Sequence, residues 1–248
     1  MPLREDLEKQ GAWFFKWRSY LPLLFLPLFG IALRNSEIIE KTFGDNVGDF
    51  WESFAIVISF LGLLVRCFTV GYVPRGTSGR NTKTQAASVL NTTGMYSITR
   101  NPLYLGNFLI IFGVTLFIQV WWLAVVVWLG FWLYYERIIF AEEEFLREKF
   151  SDEFISWAKR TPMVIPNFRN WKKPSLYFSL KTVLRREFST YFAIVAVYFF
   201  LELAETLINE QKFFVHSSWI IFFLVSMVIY YTFLFLKKKT HLLDVSGR

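Results

Sequence analysis

The sequence predicts an all-α fold: a polytopic membrane protein of about six transmembrane helices, two of them joined as a tight helical hairpin. Three observations lead there. Apolar residues make up 54% of the 248-residue chain, including 29 phenylalanines, above the roughly 45–50% of ordinary soluble domains. They gather into runs that reach or approach the ~17–25 residues a helix needs to cross the hydrocarbon core. Lys and Arg crowd every second loop between those runs, as the positive-inside rule requires.

The runs are 20–33, 50–73, 103–120, 121–140, 187–207 and 213–236. The first is short and carries Pro22 and Pro27, so it kinks or enters only partway, with five spans as the alternative count. The third and fourth meet at Gln119 with no charge and almost no spare residue, which makes them the hairpin.

The basic residues test this count independently. Arg4, Lys9, Lys16 and Arg18 precede the first span, whereas the next loop has only Arg34 and Lys41 beside Glu37, Glu40 and Asp45. The loop after the second span holds Arg75, Arg80, Lys83 and Arg100. Segment 141–186 carries ten Lys and Arg, the last turn has Lys212 alone, and the tail opens on Lys237, Lys238 and Lys239. Six spans with both termini cytoplasmic satisfy this alternation. The net charge of +7 is then a matter of topology, which argues against nucleic acid as a partner and for anionic lipid headgroups. A single cysteine, Cys67, inside a span provides neither a disulfide framework nor a thiolate metal site, and no metal is expected.

Residues 1–18 read as an amphipathic helix in the interface, with Leu3, Leu7, Trp13, Phe14 and Trp17 among charges. Gly, Thr and Ser make 74–92 a loop. Residues 142–159 continue the fourth span as a polar helix with Phe145, Leu146, Phe150, Phe154 and Trp157 at near-helical spacing, ended by Pro162 and Pro166. Beyond it, 167–186 is a basic linker whose part from Lys173 to Arg186 reads as an interfacial helix. The chain thus divides into an N-terminal interfacial segment and first span (1–54), a central core (55–168), and a linker with two C-terminal helices (169–248).

Chemistry concentrates in the core. Gly94, Tyr96, Arg100, Asn101, Pro102, Tyr104 and Gly106 stand at the entry to the third span, and Glu142, Glu143 and Glu144 at the exit of the fourth. Pro102 forces a turn and opens a helix whose first N–H groups are free to meet an anion. Arg100 also suits an interfacial anchor, Tyr104 an aromatic belt, and the Glu triplet an acidic turn paired with Arg137 or Arg147. Arg66 lies within or near the end of the second span, where it snorkels or meets a buried acid. Glu202 and Glu205 are expected near the external end of the fifth span, in reach of water.

These two motifs resemble the isoprenylcysteine carboxyl methyltransferase family, integral membrane methyltransferases that include phospholipid methyltransferases. The resemblance runs over about 55–168: Gly94, Tyr96, Arg100, Pro102, Tyr104 and Gly106, then Glu142, Glu143, Leu146, Phe150, Phe154, Trp157, Pro162 and Pro166, with Arg66 in the preceding span. It implies a cytoplasm-facing pocket for S-adenosylmethionine, held by Tyr96, Arg100, Asn101, Pro102, Tyr104, Glu142 and Glu143, with a lipid or lipidated acceptor entering from the bilayer. Arg100 and Glu143 would be the catalytic pair. Asn101 stands where the family has His, and Ser151 where it has Gly, a mild change. The last two spans lie past the family's usual end and are given no catalytic part.

Methyl transfer from a sulfonium needs alignment and dryness more than proton chemistry. An anionic acceptor needs no base, whereas an ammonium does. His216 and His241 are far from the motif, so the reading leans to a phosphate or carboxylate, a lipid A phosphate being one such acceptor. Arg66, Arg75, Arg80 and Lys83 are the candidates to recognise it. Rival readings are a phospholipid amine N-methyltransferase, an NADPH-dependent sterol-type reductase, and a transporter or scaffold. A bacterial inner membrane is favoured over the endoplasmic reticulum.

Overall fold

The structure is a computed structural model that describes residues 2–74, 87–209, 211 and 213–247. It is a helical polytopic membrane protein, with no strand among the described residues. A first helix, α1 (Leu3–Trp17), leads into a 3-10 turn (Leu21–Phe25), α2 (Leu26–Leu33) and α3 (Ile38–Phe43). Pro22 and Pro27 each stand in the opening turn of one of these pieces, where proline is tolerated and also ends whatever precedes it. The first span is thus broken, as its prolines foretold, yet Leu21–Phe43 together is long and apolar enough to cross.

Four more helices meet that criterion: α4 (Asp45–Gly71), α7 (Trp121–Ala158), α8 (Leu180–Asn209) and α9 (Ser217–Lys239). A short α5 (Met95–Ile98) precedes the sixteen-residue apolar helix α6 (Pro102–Phe117). At 1.5 Å per residue α6 is about 24 Å long, short of a ~30 Å core. Its link to α7 turns on Gln119, which takes a positive φ of 63°. The Gln119 carboxamide oxygen accepts from the Ile39 and Glu40 amides at 3.1 Å. The hairpin is therefore tied to α3 at the end of the bundle opposite Arg100.

α4 and α6 pack most closely, because small residues face each other. A Cβ on Gly62 would lie 2.6 Å from the Gly106 carbonyl oxygen, and one on Gly106 2.5 Å from Arg66 Cγ. Such contact needs glycine on both helices. α8 joins this pair through Tyr198, whose hydroxyl donates to the Ala55 carbonyl (3.1 Å) and lies 2.8 Å from Ser59 Oγ. The core forms around them from Ala55, Leu63, Val114, Phe117, Ile118, Leu123, Ile194 and Tyr198.

Three expectations need correction. The fifth and sixth spans begin at Leu180 and Ser217, not 187 and 213. The stretch 171–179 is not helical, so the expected helix from Lys173 is confined to its end. Glu205 does not reach water: it is buried, with the Ser36 side chain against it.

α7 spans 38 residues, about 57 Å, so its last half projects past the membrane core. It kinks at Ser151, whose φ of 43° and ψ of −116° belong to glycine. Serine here is more than the mild change anticipated. Ser151→Gly is expected to raise stability by about 1 kcal/mol, read as a higher unfolding midpoint in detergent. Gly62→Val, which wedges α4 from α6, is expected to lower it by about 1–3 kcal/mol.

Candidate active site

The entry to α6 is held by a strap. After α7 ends, the chain runs back along residues 94–101. The Arg100 amide donates to the Pro162 carbonyl, Asn167 to the Ile98 carbonyl, and Gly94 to the Lys172 carbonyl, each at 2.9 Å. Thr99 Oγ1 donates to the Met163 and Val164 carbonyls (3.2 and 3.0 Å), and Trp157 Nε1 to the Tyr96 carbonyl at 2.9 Å. Leu90, Phe154 and Trp157 form a small core beneath, with Tyr96, Leu146 and Phe150 packed on it. Pro162 and Pro166 thus do more than end a helix. They shape the return segment that satisfies the backbone of a non-helical motif, which a membrane boundary requires. Gly94 at φ 59° supplies the turn into α5.

The strap leaves Arg100 facing the exit of the membrane part of α7. Arg100 Nε lies 3.0 Å from Glu143 Oε1, while Nη1 donates to the Ala158 carbonyl at 3.1 Å. The Arg100–Glu143 contact is an ion pair by distance, but its N–H is misdirected, so both buried atoms lack a hydrogen bond. Tyr104, one turn into α6, donates to Glu142 Oε1 at 2.9 Å, and Arg18 Nη1 stands 3.7 Å from the same oxygen. Glu144 is paired with Arg4 and, at 3.8 Å, with Arg147. Arg137 takes Glu136 instead. Consecutive helical residues point about 100° apart, and each carboxylate accordingly meets its own arginine.

Asn101 donates to the Met163 carbonyl at 3.0 Å and borders Glu143. Burial pushes the Tyr96 hydroxyl upward, with Glu142 adding to the effect, so it stays protonated at neutral pH. The structure therefore gathers Tyr96, Arg100, Asn101, Pro102, Tyr104, Glu142 and Glu143 around the junction of α5, α6 and α7. Arg66 is elsewhere engaged: Nε and Nη2 donate to the two Glu187 oxygens at 2.8 and 2.9 Å, and Nη1 to Asn107 Oδ1 at 2.5 Å. Arg75, Arg80 and Lys83 lie outside the described residues.

Sequence reasoning missed several partners. It placed α1 in the interface without naming a neighbour; α1 packs on α7, with Gly11 against the Arg137 carbonyl and Ala141, and so delivers Arg4 and Arg18. A glycine inside an amphipathic helix was the available signal. Asn107 and Glu187, polar groups in apolar stretches, were the signals for the Arg66 network.

Residues 76–153 match the phospholipid methyltransferase family. The matched stretch holds the first motif, the hairpin and the second motif as far as Phe150, in agreement with the resemblance drawn from those residues. Two curated relatives are similar over part of the chain. One is the nickel-cobalt-cadmium resistance protein NccN of Alcaligenes xylosoxydans xylosoxydans, 34% identical over 132 residues, 52% of this chain and 58% of that protein. Another is the cobalt-zinc-cadmium resistance protein CzcN of Cupriavidus metallidurans, 35% identical over 100 residues, 40% of this chain and 44% of that protein. The chain spans about half the length of the curated relatives it matches. No solved structure matches.

The pairing pattern makes a stability prediction. Arg100→Leu strands the Glu143 carboxylate and is expected to cost about 3 kcal/mol, while Arg100→Leu/Glu143→Leu recovers most of it. Glu144→Gln, whose partners Arg4 and Arg147 are exposed, is expected to lower the unfolding midpoint less than Arg100→Leu does.

Proposed function

We propose that this chain is an S-adenosylmethionine-dependent integral membrane methyltransferase acting on a lipid or lipidated acceptor. The observation that carries the reading is the Arg100–Glu143 pair, buried without a mutual hydrogen bond, inside a stretch matching phospholipid methyltransferases. An arginine beside carboxylates complements the carboxylate and ammonium of an amino-acid moiety. Carboxylate and amide acceptors also suit ribose hydroxyls. The donor set therefore fits S-adenosylmethionine: Arg100, Asn101, Glu142 and Glu143 would hold it, with Tyr96, Pro102 and Tyr104 lining the place.

Bound there, S-adenosylmethionine supplies an electrophilic methyl group. The chain's own part is alignment and exclusion of water. Tyr104 holds the Glu142 carboxylate in one orientation, the strap fixes Arg100, and α1 closes one side through Arg18 and Arg4. Arg100 and Glu143 act by placing the donor. The acceptor we favour is an anionic oxygen, phosphate or carboxylate, which needs no deprotonation. Arg75, Arg80 and Lys83 are the proposed anion contacts, while Arg66, engaged by Glu187 and Asn107, acts from behind the site.

N-methylation of a phospholipid amine is a second reading. It is favoured by Glu142, a carboxylate placed to take a proton from an ammonium. The cofactor pocket of the core 55–168 faces the cytoplasm in this account, with both termini there, in a bacterial inner membrane. Incubation of the purified protein in native-lipid proteoliposomes with methyl-labelled S-adenosylmethionine tests it. Label in an anionic lipid, released by alkali, is the expected result. Alkali-stable label on an amine lipid establishes the second reading, and no label in lipid or protein sinks both.

A further inference from the structure

The Arg66–Glu187 pair lies outside the matched stretch, on α4 and α8, and the reading above gives α8 no role. Its side chains are only 13% and 4% exposed. An arginine inside a helical bundle is costly unless paired, and residues kept there are usually functional. The two-pronged contact to Glu187 fixes the guanidinium plane, which leaves Nη1 one direction to point. That nitrogen holds Asn107 Oδ1 at 2.5 Å, and the Asn107 amide donates to the Tyr135 hydroxyl at 3.3 Å. The Tyr135 ring rests on the Tyr104 ring, centroids 4.6 Å apart, and Tyr104 donates to Glu142. One unbroken line of contacts thus runs from α8 through α4, α6 and α7 to the proposed cofactor carboxylate.

We infer that Glu187 is a positioning residue of the site: by orienting Arg66 and Asn107 it sets Tyr135 and Tyr104, and through them Glu142. α8 then completes the site instead of merely anchoring the chain. The inference rests on the methyltransferase reading for its catalytic consequence, but its structural half stands apart from it. A plain staple between α4 and α8 already exists at Tyr198, bonded to Ala55 and Ser59, about two to three helical turns before Arg66 on α4. Tyr198 is therefore the control.

The test compares full-length wild type, Glu187→Gln, Tyr198→Phe and Arg66→Leu/Glu187→Leu in lipid nanodiscs. Each is measured for unfolding midpoint, for hydrogen exchange over residues 104–110, and for KM and kcat with labelled S-adenosylmethionine. Glu187→Gln should speed exchange there and raise KM by ~10-fold or more, and Tyr198→Phe should do neither. The double leucine variant should recover the midpoint, since apolar replacement of a buried pair is tolerated, yet keep the fast exchange and high KM. Unchanged exchange in Glu187→Gln, or equal effects from Tyr198→Phe, would overturn the inference. Rescue of KM by the double variant would reduce the pair to a staple and overturn it too. A wild type that neither binds nor uses S-adenosylmethionine would sink the preceding reading, while the exchange data still decide whether Glu187 holds Tyr104.

Discussion

Three consecutive carboxylates at the end of a membrane helix are the constraint around which this molecule is arranged. Glu142, Glu143 and Glu144 point in three directions from α7, and none is cheap to hold at a low-dielectric boundary. The fold answers with an arginine for each: Arg18 and Arg4 from the first helix, Arg100 from the entry to α6. Supplying them requires α1 to dock on α7, and Gly11 allows that docking. It also requires a non-helical approach to α6, and the return segment after Ala158 satisfies the backbone exposed by that approach.

The opposite requirement, close packing of the membrane core, is met by glycine. Gly62 and Gly106 bring α4 and α6 nearly into backbone contact, which sets Arg66 beside Asn107 and beneath Tyr135. α8 then closes the arrangement twice, with Glu187 on Arg66 and with Tyr198 on the α4 backbone. A helix outside the family-matched stretch, α8, is thereby built into the same polar line that ends at Glu142. Stability and site geometry share these contacts, so few of them are replaceable singly.

Much of this was legible beforehand. Apolar run length and basic-loop alternation disclosed the helical membrane fold, and two spaced motifs brought Arg100, Tyr104, Glu142 and Glu143 together correctly, since a short hairpin leaves their helices little choice. What stayed hidden was pairing across long sequence separations. Nothing local couples Arg4 to Glu144 or Arg66 to Glu187, because such partners are chosen by helix packing. Glu205 misled for the same reason: its position near a helix end suggested water, and packing against Ser36 removed it. The boundary at 180 was missed because polar turns continue a helix that hydropathy alone would end, and the one at 217 because the apolar residues 213–215 precede the helix without joining it.

Equilibrium binding of tritiated S-adenosylmethionine to the purified protein in lipid nanodiscs tests the central claim most directly, with S-adenosylhomocysteine and NADPH as competitors. The account predicts saturable binding that S-adenosylhomocysteine displaces and NADPH does not. Absence of saturable binding, or displacement by NADPH alone, would contradict it.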